Sequence, residues 1–519
     1  MSELRVVTEP LGGGPLAAAA IAGSAPAEWY APRPATPAEW AARTALLQQA
    51  EPGWLERLRP AFGMTRPDRL ERSAAAGGVV VTTGQQPGLF GGPVYTWSKA
   101  LSALALADAI ERATGVPTAP VFWAATDDAD FAEASVTHVA VPGGVETLRM
   151  SARTMDGMPM ARVPLGDLRP LVRRLEHGAG SAANDAPLAA IGRAYGDPHA
   201  TVGSAYVALL RAILEPLGIA VLDASHPAVR AAGAPMLRQA LAEAPAIVRA
   251  LDEREQALTA RGFVAQVAPV PGLTLVFHGA PNGSKQRATL GDRARLAGAS
   301  DDALSPNVLL RPVMERAILP TVAYVAGPGE VAYFAQVSAV ASALGAAVPL
   351  AVPRWSGTIV EPHVQRLLHR LELDPAGLRD PHAAETRLAR AAMPTEVRDA
   401  LAGAAGTMQQ AIALVRHAAG GDAVPEAALV GAARALATRL ERLERRYVAA
   451  YKRREAGMLY ELATVRGSLW PLGKRQERML NVMPLLARQG AELVAQMQAC
   501  AGRTMSALVT GVAGDGGTN

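Results

Sequence analysis

An acidic cluster directly after an apolar run is the first place in the sequence where side chains could do chemistry. The stretch FWAATDDADFAEAS, residues 122 to 135, carries Asp127, Asp128, Asp130 and Glu133. Carboxylates this close raise one another's pKa, so one could act as a base near neutral pH, or the group could hold a hard cation. A helix start, with one capping aspartate and acids in its first turn, explains only one or two of the four. The cluster therefore favours a site, with Asp127, Asp128 and Asp130 as catalytic candidates.

A glycine-rich stretch offers a second candidate. TTGQQPGLFGGP, residues 82 to 93, follows three consecutive valines. Strand-ending glycines before a helix expose backbone N–H groups at the positive end of that helix, which suits an anion. The stretch matches neither the dinucleotide nor the P-loop phosphate motif, so a structural turn stays open. Adjacent glutamines favour a ligand, because amides donate and accept in fixed geometry. The candidate binding residues are Gly84, Gln85, Gln86, Gly88 and Tyr95.

A third set surrounds a Gly-Pro-Gly loop in SPNVLLRPVMERAILPTVAYVAGPGEVAYFAQ, residues 305 to 336. Arg311 has apolar neighbours there, so its guanidinium must pair with a protein carboxylate or with a ligand anion. The sequence leaves both open. His138, His226 and His278 lack metal-ligand spacing, so we expect each to be a surface or capping residue and assign none of them as a metal ligand; whether the protein needs a metal stays open. The candidate substrate-binding residues are Asn307, Arg311, Tyr324, Glu330, Tyr333, Gln336 and, beyond a later strand, Arg354.

Alternating strands and helices must position these residues. The apolar run 79–83, a helical pattern over 95–113 and a second apolar run at 121–125 predict a βαβ unit. The pattern recurs from 202 to 222, and again from 321 through a helix ending near 344 to a strand at 348–352. Repeated units of this kind predict an α/β fold with a doubly wound parallel sheet, in which ligands bind at the carboxyl ends of the strands.

The C-terminal third has a different pattern. Apolar residues recur every three or four positions over 397–415 and 429–450, with turn-forming residues at 417–427 between them. This spacing predicts a C-terminal antiparallel helical coiled coil, which could pack on itself or recruit a second copy; we expect a homodimer. The predicted domains are a core over 1–375 with inserted segments at 142–200 and 262–310, a coiled coil over 376–465 and a returning segment over 466–519.

Composition narrows the class of protein. The 519 residues are 50% hydrophobic and 19% charged, which excludes disorder as the main state. The net charge of +4 is spread along the chain, unlike the clustered basic face of nucleic-acid-binding proteins. Cys500 is the single cysteine, so no intramolecular disulfide forms, which favours the cytoplasm. No stretch approaches the roughly 20 apolar residues of a membrane span.

Taken together, these motifs resemble the BshC family of bacillithiol biosynthesis. The matching pieces include TGQQPGLFGGPVYTWSKA, PVFWAATDDADFAE, VPRWSGTIVEP and LWPLGKRQERMLNVMPLL, in order between about 80 and 490, and the 305–336 stretch. The resemblance implies a Rossmann-like core with inserted connective segments and a coiled coil used for dimerisation. It also implies the last step of bacillithiol synthesis, a ligase joining the carboxyl group of L-cysteine to the amine of glucosaminyl-malate.

Forming an amide from a free carboxylate in water is uphill, so this activity needs activation, most plausibly by ATP. The nucleotide could bind at the glycine-rich stretch after Val81. It could instead bind near PLGKRQER, where Lys474, Gln476 and Arg478 suit anionic contacts.

One departure from the family pattern leaves an alternative open. The family has Glu-Asp-His-Asp after its Phe-Trp strand, and this chain has Asp127, Asp128, Ala129 and Asp130. Without the histidine, a carboxylate must accept the proton, or the protein is a non-catalytic dimeric ligand-binding or scaffold protein that kept the fold. A nicotinamide-dependent oxidoreductase is disfavoured, because no dinucleotide motif opens a helix.

Overall fold

The computed structural model describes residues 3–48, 53–63, 68–151, 156–418 and 424–511. The chain divides into two compact units. The predicted domain boundaries at 375 and 465 stay predictions. The smaller, here called the helical unit, comprises Met1–Glu3, Ala140–Val145 and Val360–Arg475, and the larger, the sheet unit, comprises Leu4–Val139, Glu146–Ile359 and Gln476–Asn519.

Five parallel strands form the centre of the sheet unit. They are β1 (Val79–Gln85), β2 (Thr118–Ala124), β3 (Ala220–Asp223), β4 (Thr321–Ala326) and β5 (Ala351–Pro353), in the spatial order β5-β4-β1-β2-β3. The run of buried residues along β1, β2 and β4 is typical of strands covered on both faces. The predicted doubly wound parallel α/β sheet is confirmed.

The strand order places a switch point beside β1. From β1 the chain adds β2 and β3 on one side, then returns to add β4 and β5 on the other. The crossovers on the two sides therefore diverge at the carboxyl ends of β1 and β4. Open α/β sheets bind ligands in the crevice at this position.

Helices predicted from the sequence cover the sheet. The Val94–Thr114 helix is apolar on almost every side, and it ends where Gly115 adopts a φ of 72°. Thr201 caps the Val202–Leu214 helix, and Pro328–Ala343 follows β4. β5 is shorter than the predicted 348–352 strand, although the carbonyl of Leu350 already accepts the N–H of Tyr324 at 2.8 Å.

The inserted segment at 262–310 folds into a small antiparallel sheet. Its central strand, Leu273–Gly279, pairs with Lys285–Thr289 on one side and with Leu304–Pro306 on the other. The 142–200 segment contributes the helices Arg169–Ala179 and Ala186–Tyr195. The first insertion thus adds mainly helices, and the second adds strands.

Two long helices of the helical unit run antiparallel. They are Thr395–Ala418 and Glu426–Arg454. Val397, near the start of the first, packs in one cluster with Val448, near the end of the second. Arg416 at the other end of the pair contacts Glu426 at 2.7 Å. The predicted antiparallel pair is present, and residues 419–423 of its predicted turn lie outside the described residues.

The remaining elements connect these parts. None of the helices in the described ranges combines the length and apolar character needed to cross a membrane. The other α-helices are Pro15–Ile21, Pro37–Leu47, Trp54–Phe62, Asp68–Ala75, Phe131–Ala134, Pro227–Ala242, Ala244–Ala260, Arg293–Ala297, Arg311–Ile318, Pro362–Arg370, Pro381–Ala391, Ala456–Leu469, Gln476–Met479 and Val482–Thr510, and the other strands are Arg5–Thr8, Val136–Val141, Gly144–Arg149 and Gly357–Val360. Short 3-10 turns lie at Ala27–Trp29, Leu89–Gly91, Glu215–Leu217, Leu290–Asp292, Asp301–Ala303, Pro375–Leu378 and Pro471–Gly473.

Candidate functional site

A cavity of about 560 Å³ opens at the switch point of the sheet. The carboxyl ends of β1, β2 and β4 form one side, and the antiparallel sheet of the second insertion contributes to the other. All three candidate sets from the sequence reach this one cavity. The candidates in its wall are Gly84, Gln85, Gln86, Asp127, Asp128, Asp130, Asn307, Arg311, Tyr324, Glu330 and Tyr333, and Ala129 lies among them.

The acidic wall holds two carboxyl groups whose pKa values move in opposite directions. Burial would raise the pKa of Asp127, but the Nζ of Lys285 lies 3.2 Å from its Oδ2 and leaves that pKa lowered. Burial raises the pKa of Asp128, and the neighbouring charge of Asp127 adds to this against a hydrogen bond from the backbone. Separated pKa values of this kind equip a site with one fixed charge and one proton acceptor.

Asp130 has the capping role that the sequence left open. Its side chain accepts the N–H of Glu133 at 3.0 Å and begins the Phe131–Ala134 helix. Asp128 in turn accepts the N–H of Asp130 at 2.8 Å. Among the described residues, no three His, Cys, Asp or Glu side chains are grouped so as to hold a metal ion. The cluster is therefore part helix cap and part cavity wall.

The basic wall is built from two separate parts of the chain. Arg311 forms a buried pair with Glu315 at 2.6 Å, and its guanidinium lies 4.9 Å from the centre of the Tyr324 ring. Lys285 and Arg287 come from the inserted sheet. Arg311 therefore pairs with a protein carboxylate, which is one of the two partners that the sequence left open. Its guanidinium also borders the cavity.

A buried lysine joins the ends of β1 and β4. The Nζ of Lys99 lies 2.5 Å from Glu330 and donates to the carbonyl of Gly84 at 2.7 Å and to Gln85 at 3.0 Å. Burial lowers the pKa of Lys99, although Glu330 opposes this. The amide of Gln85 donates to the hydroxyl of Tyr95 at 3.0 Å. These bonds fix the orientation of the Gln85 side chain at the cavity.

The far end of the glycine-rich stretch is closed by the chain itself. The N–H of Val94, the first residue of its helix, donates to the carbonyl of Leu480 at 2.9 Å. Asn481 donates to the carbonyls of Leu89 and Phe90 at 3.2 and 3.0 Å. The expectation that the whole loop and the helix start hold an anion is corrected here, because only residues 84–86 border the cavity.

Several candidates lie outside this cavity. The amide of Gln336 bonds both backbone groups of Val267, at 3.0 and 2.8 Å. Arg354 binds the carboxylate of Glu477 through two nitrogens, at 2.7 and 2.9 Å. Gln476 bonds the backbone of Ile359. The full set outside the wall is Gly88, Tyr95, Gln336, Arg354, Lys474, Gln476 and Arg478, of which Lys474 and Arg478 are exposed.

The sequence reasoning missed the basic residues Lys285 and Arg287, and the role of Lys99. The position of Lys99 could have been recognised from the sequence, because a lysine between Trp97 and Leu101 in an apolar helix needs a buried partner for its charge. The sequence gives no comparable indication for Lys285 and Arg287, because they reach the cavity only through the strand pairing of an inserted hairpin.

A doubly wound sheet with a polar cavity at its switch point is typical of the Rossmann-like class of proteins, in which ligands bind at this position. Comparison with known families agrees with this class. The family model described as "Bacillithiol biosynthesis BshC, N-terminal Rossmann-like domain" matches residues 65–293 and 280–355. The model described as "Bacillithiol biosynthesis BshC, C-terminal coiled-coil domain" matches residues 357–501. The chain belongs to the BshC family of bacillithiol biosynthesis.

Relatives from several bacteria carry the printed name "Putative cysteine ligase BshC". The relative from Koribacter versatilis is 34% identical over 459 residues, which is 84% of this chain and 83% of the relative. The relative from Solibacter usitatus is 33% identical over 82% of this chain and 83% of its own length. A relative from Thermus thermophilus is 30% identical over 86% of this chain and 90% of its own length. The likeness therefore extends over both units.

Proposed function

We propose that the protein joins the carboxyl group of L-cysteine to the amine of glucosaminyl-malate, in the last step of bacillithiol synthesis. ATP supplies the activation, since an amide does not form from a free carboxylate in water. Membership of the family and the ligase name of the relatives support the reaction class. The observation that supports the proposal is the cavity itself, which brings together Asp128, whose pKa is raised, and the buried guanidinium of Arg311.

In the proposed reaction, each cavity side chain has a role that follows from its charge. In the activation, a carboxylate oxygen of cysteine bonds to a phosphorus of ATP and one phosphoanhydride bond breaks. The amine nitrogen then attacks the cysteine carbonyl carbon, the C–N bond forms as the bond from that carbon to the phosphorylated oxygen breaks, and Asp128 takes the amine proton. Asp127, kept ionised by Lys285, orients the amine. Arg311 meets the malate carboxylates with Lys285 and Arg287. Arg354 has no part in this scheme, because its guanidinium binds Glu477 outside the cavity wall.

Asp128→Asn tests the assignment of the base. We expect it to lower kcat about 100-fold or more, as loss of a general base does, with a smaller change in KM. Product formed from cysteine, glucosaminyl-malate and ATP is measured by mass spectrometry. Asp399→Asn, on an exposed face of the helical unit, is the matched control and keeps the full rate. Full activity of a folded Asp128→Asn enzyme would contradict the role of this carboxylate.

A ligand-binding protein without turnover is the second candidate. Ala129 stands in the cavity wall at the place of the family's histidine, so no imidazole faces a ligand from that position. Calorimetric titration with glucosaminyl-malate separates the two functions. Binding with no product in the presence of cysteine and ATP supports the second candidate, and product formation excludes it.

We also propose that the protein acts in the cytoplasm as a homodimer through its coiled coil. Leu414, Leu436 and Leu443 of the long helix pair are 69, 39 and 55% exposed. Large apolar side chains exposed on one helix pair favour contact with another protein surface. Sedimentation of Leu436→Glu with Leu443→Glu tests the contact, with Leu472→Glu as an exposed control outside the pair. A wild-type monomer at micromolar concentration would contradict dimerisation.

A further inference from the structure

A cavity of about 310 Å³ lies at the opposite end of the sheet from the main cavity. We call it the amino-end cavity, because Leu319 and Pro320, which lead into β4, and Ala346 and Ala347, which precede β5, form part of its wall. The main cavity lies at the carboxyl end of β4. The six residues of β4, roughly 20 Å of extended chain, separate the two spaces. The proposed reaction therefore does not account for the amino-end cavity.

The wall of the amino-end cavity combines positive charge with apolar surface. Arg57 and Arg316 are its cations, and its described lining contains no acidic residue. The apolar side chains of the lining include those of Trp54, Met236 and Ile318. A wall of this composition attracts an acidic group and removes an attached carbon body from water.

Arg316 has no partner within the described chain. It is half-buried, and it forms no ion pair or hydrogen bond with another described residue. By contrast, Arg311 on the same helix pairs with Glu315 at 2.6 Å, and Arg354 pairs with Glu477 at 2.7 Å. Burial lowers the pKa of the Arg316 guanidinium. Because a guanidinium is costly to bury without a partner, Arg316 favours an anionic ligand.

A neighbouring arginine adds to the positive potential at this place. Arg43 belongs to the Pro37–Leu47 helix, and its Nε donates to the carbonyl of Val322 in β4 at 2.7 Å. Burial, together with the nearby charge of Arg316, lowers the pKa of Arg43 to about 10. Arg43 is outside the cavity lining, but its charge repels that of Arg316. An anion bound to Arg316 offsets this repulsion.

We propose that the amino-end cavity binds a small organic anion, whose phosphate or carboxylate group pairs with Arg316 and whose carbon body contacts Trp54 and Met236. The planar guanidinium can bind either acidic group through two hydrogen bonds. The apolar part of the wall favours a ligand with a carbon body over an inorganic anion. Since the bound molecule is remote from Asp128 and Arg311, it is an accessory ligand and not a substrate. The site rests on the cavity and its charges, and it is independent of the proposed function.

Calorimetric titration with 4-bromophenyl phosphate and with 4-bromobenzoate tests the charged part of the site, without cysteine or ATP. We expect saturable binding of at least one acid, and at least tenfold weaker binding of 4-bromophenol, which lacks the acidic group. The acid that binds more tightly identifies the group that the site prefers. Arg316→Gln should weaken this acid about tenfold or more, and Arg316→Lys should restore part of the affinity because it keeps the charge. Arg249→Gln, which removes an exposed arginine outside the lining, is the matched control and binds as the wild type does.

Ala347→Trp tests the apolar part of the site. Ala347 lines the cavity, is exposed and lies outside the helices and strands, so a larger side chain there can occupy the space. We expect Ala347→Trp to weaken the preferred acid at least tenfold. Ala183→Trp, at an exposed loop position outside the lining, should bind it as the wild type does.

Crystals soaked in the preferred acid give its position through the anomalous scattering of bromine. We expect a bromine site beside Trp54 and Met236. Bromine found only in the main cavity, equal affinity of Arg316→Gln and Arg249→Gln for the acid, or binding of 4-bromophenol as tight as that of both acids would overturn the inference. Absence of saturable binding of either acid by the wild type at millimolar concentration would overturn it too. None of these outcomes depends on whether the protein forms an amide.

Discussion

At the scale of single residues, the cavity separates two adjacent aspartates by their surroundings. Asp127 forms an ion pair with Lys285, whereas the charge of Lys285 is only a minor influence on Asp128, so burial raises the pKa of Asp128 with less opposition. The acidic cluster was predictable because its members lie close together in the sequence and follow a strand. The asymmetry between the two was not, because Lys285 lies 158 positions away along the chain.

This asymmetry predicts opposite effects of two asparagine substitutions on stability. Because its pKa is raised in the folded protein, Asp128 favours folding at acid pH, and this contribution is lost as the pH rises through the folded pKa. Asp128→Asn should therefore raise the melting temperature at pH 7.5, and the gain should vanish near pH 4. Asp127, with a lowered pKa, favours folding above its unfolded pKa. Asp127→Asn should cost about 1–3 kcal/mol at pH 7.5 and less in acid.

Thermal melts of both variants across this pH range provide the measurement. Shifts of the same sign at pH 7.5 would show that the two carboxyl groups do not differ as described.

The same difference predicts how the ligation rate depends on pH, because the base form of Asp128 is lost on acidification. The acid limb of the rate profile should lie above the pKa of an ordinary aspartate.

At the scale of elements, the Val94–Thr114 helix was predicted to within a residue at each end, because apolar periodicity and a terminal glycine determine it locally. The two long helices, Thr395–Ala418 and Glu426–Arg454, extend two to four residues beyond the predicted 397–415 and 429–450. The closure of the glycine-rich loop was not predictable, since its partner Asn481 belongs to a segment almost 400 residues later. The sequence of a glycine-rich loop before a helix does not reveal whether a ligand or another segment of the chain forms hydrogen bonds with the loop backbone.

Asn481→Ala tests how much that closure stabilises the fold. The side chain is 1% exposed, donates to two loop carbonyls and caps the Val482–Thr510 helix through the N–H of Met483 at 2.9 Å. Loss of the cap and of buried hydrogen bonds should cost about 2–4 kcal/mol. Urea unfolding measures the change, with Asn282→Ala in a partly exposed turn as the control. An unchanged midpoint for Asn481→Ala would mean that water satisfies the loop equally well.

At the scale of the whole molecule, the chain forms two compact units with their own apolar clusters. Val465 and Leu462 belong to a cluster of the helical unit, and Val340 and Val337 to one of the sheet unit. The sequence indicated this division through a change of pattern near the C-terminal third. It also predicted a segment returning to the core from 466, a boundary that stays a prediction; in the structure the chain from Gln476 belongs to the sheet unit, with contacts at Ile359 and Leu89.

Two matched valine truncations test whether the units unfold separately. Val465 and Val340 are both fully buried, and replacing either with alanine should cost about 2 kcal/mol. In scanning calorimetry we expect two transitions, with Val465→Ala lowering one and Val340→Ala lowering the other. A single transition shifted equally by both would show that the units unfold together.

The position of Asn481 also governs when the site can be completed during synthesis. A ribosome makes every strand of the sheet and every wall residue of the cavity before it reaches the residue that secures the glycine-rich loop. A nascent chain ending before residue 480 therefore holds the catalytic candidates next to unsecured loop carbonyls. We therefore expect a C-terminal truncation before residue 480 to leave the Leu89 and Phe90 carbonyls without the side chain of Asn481, far from the cut in the sequence.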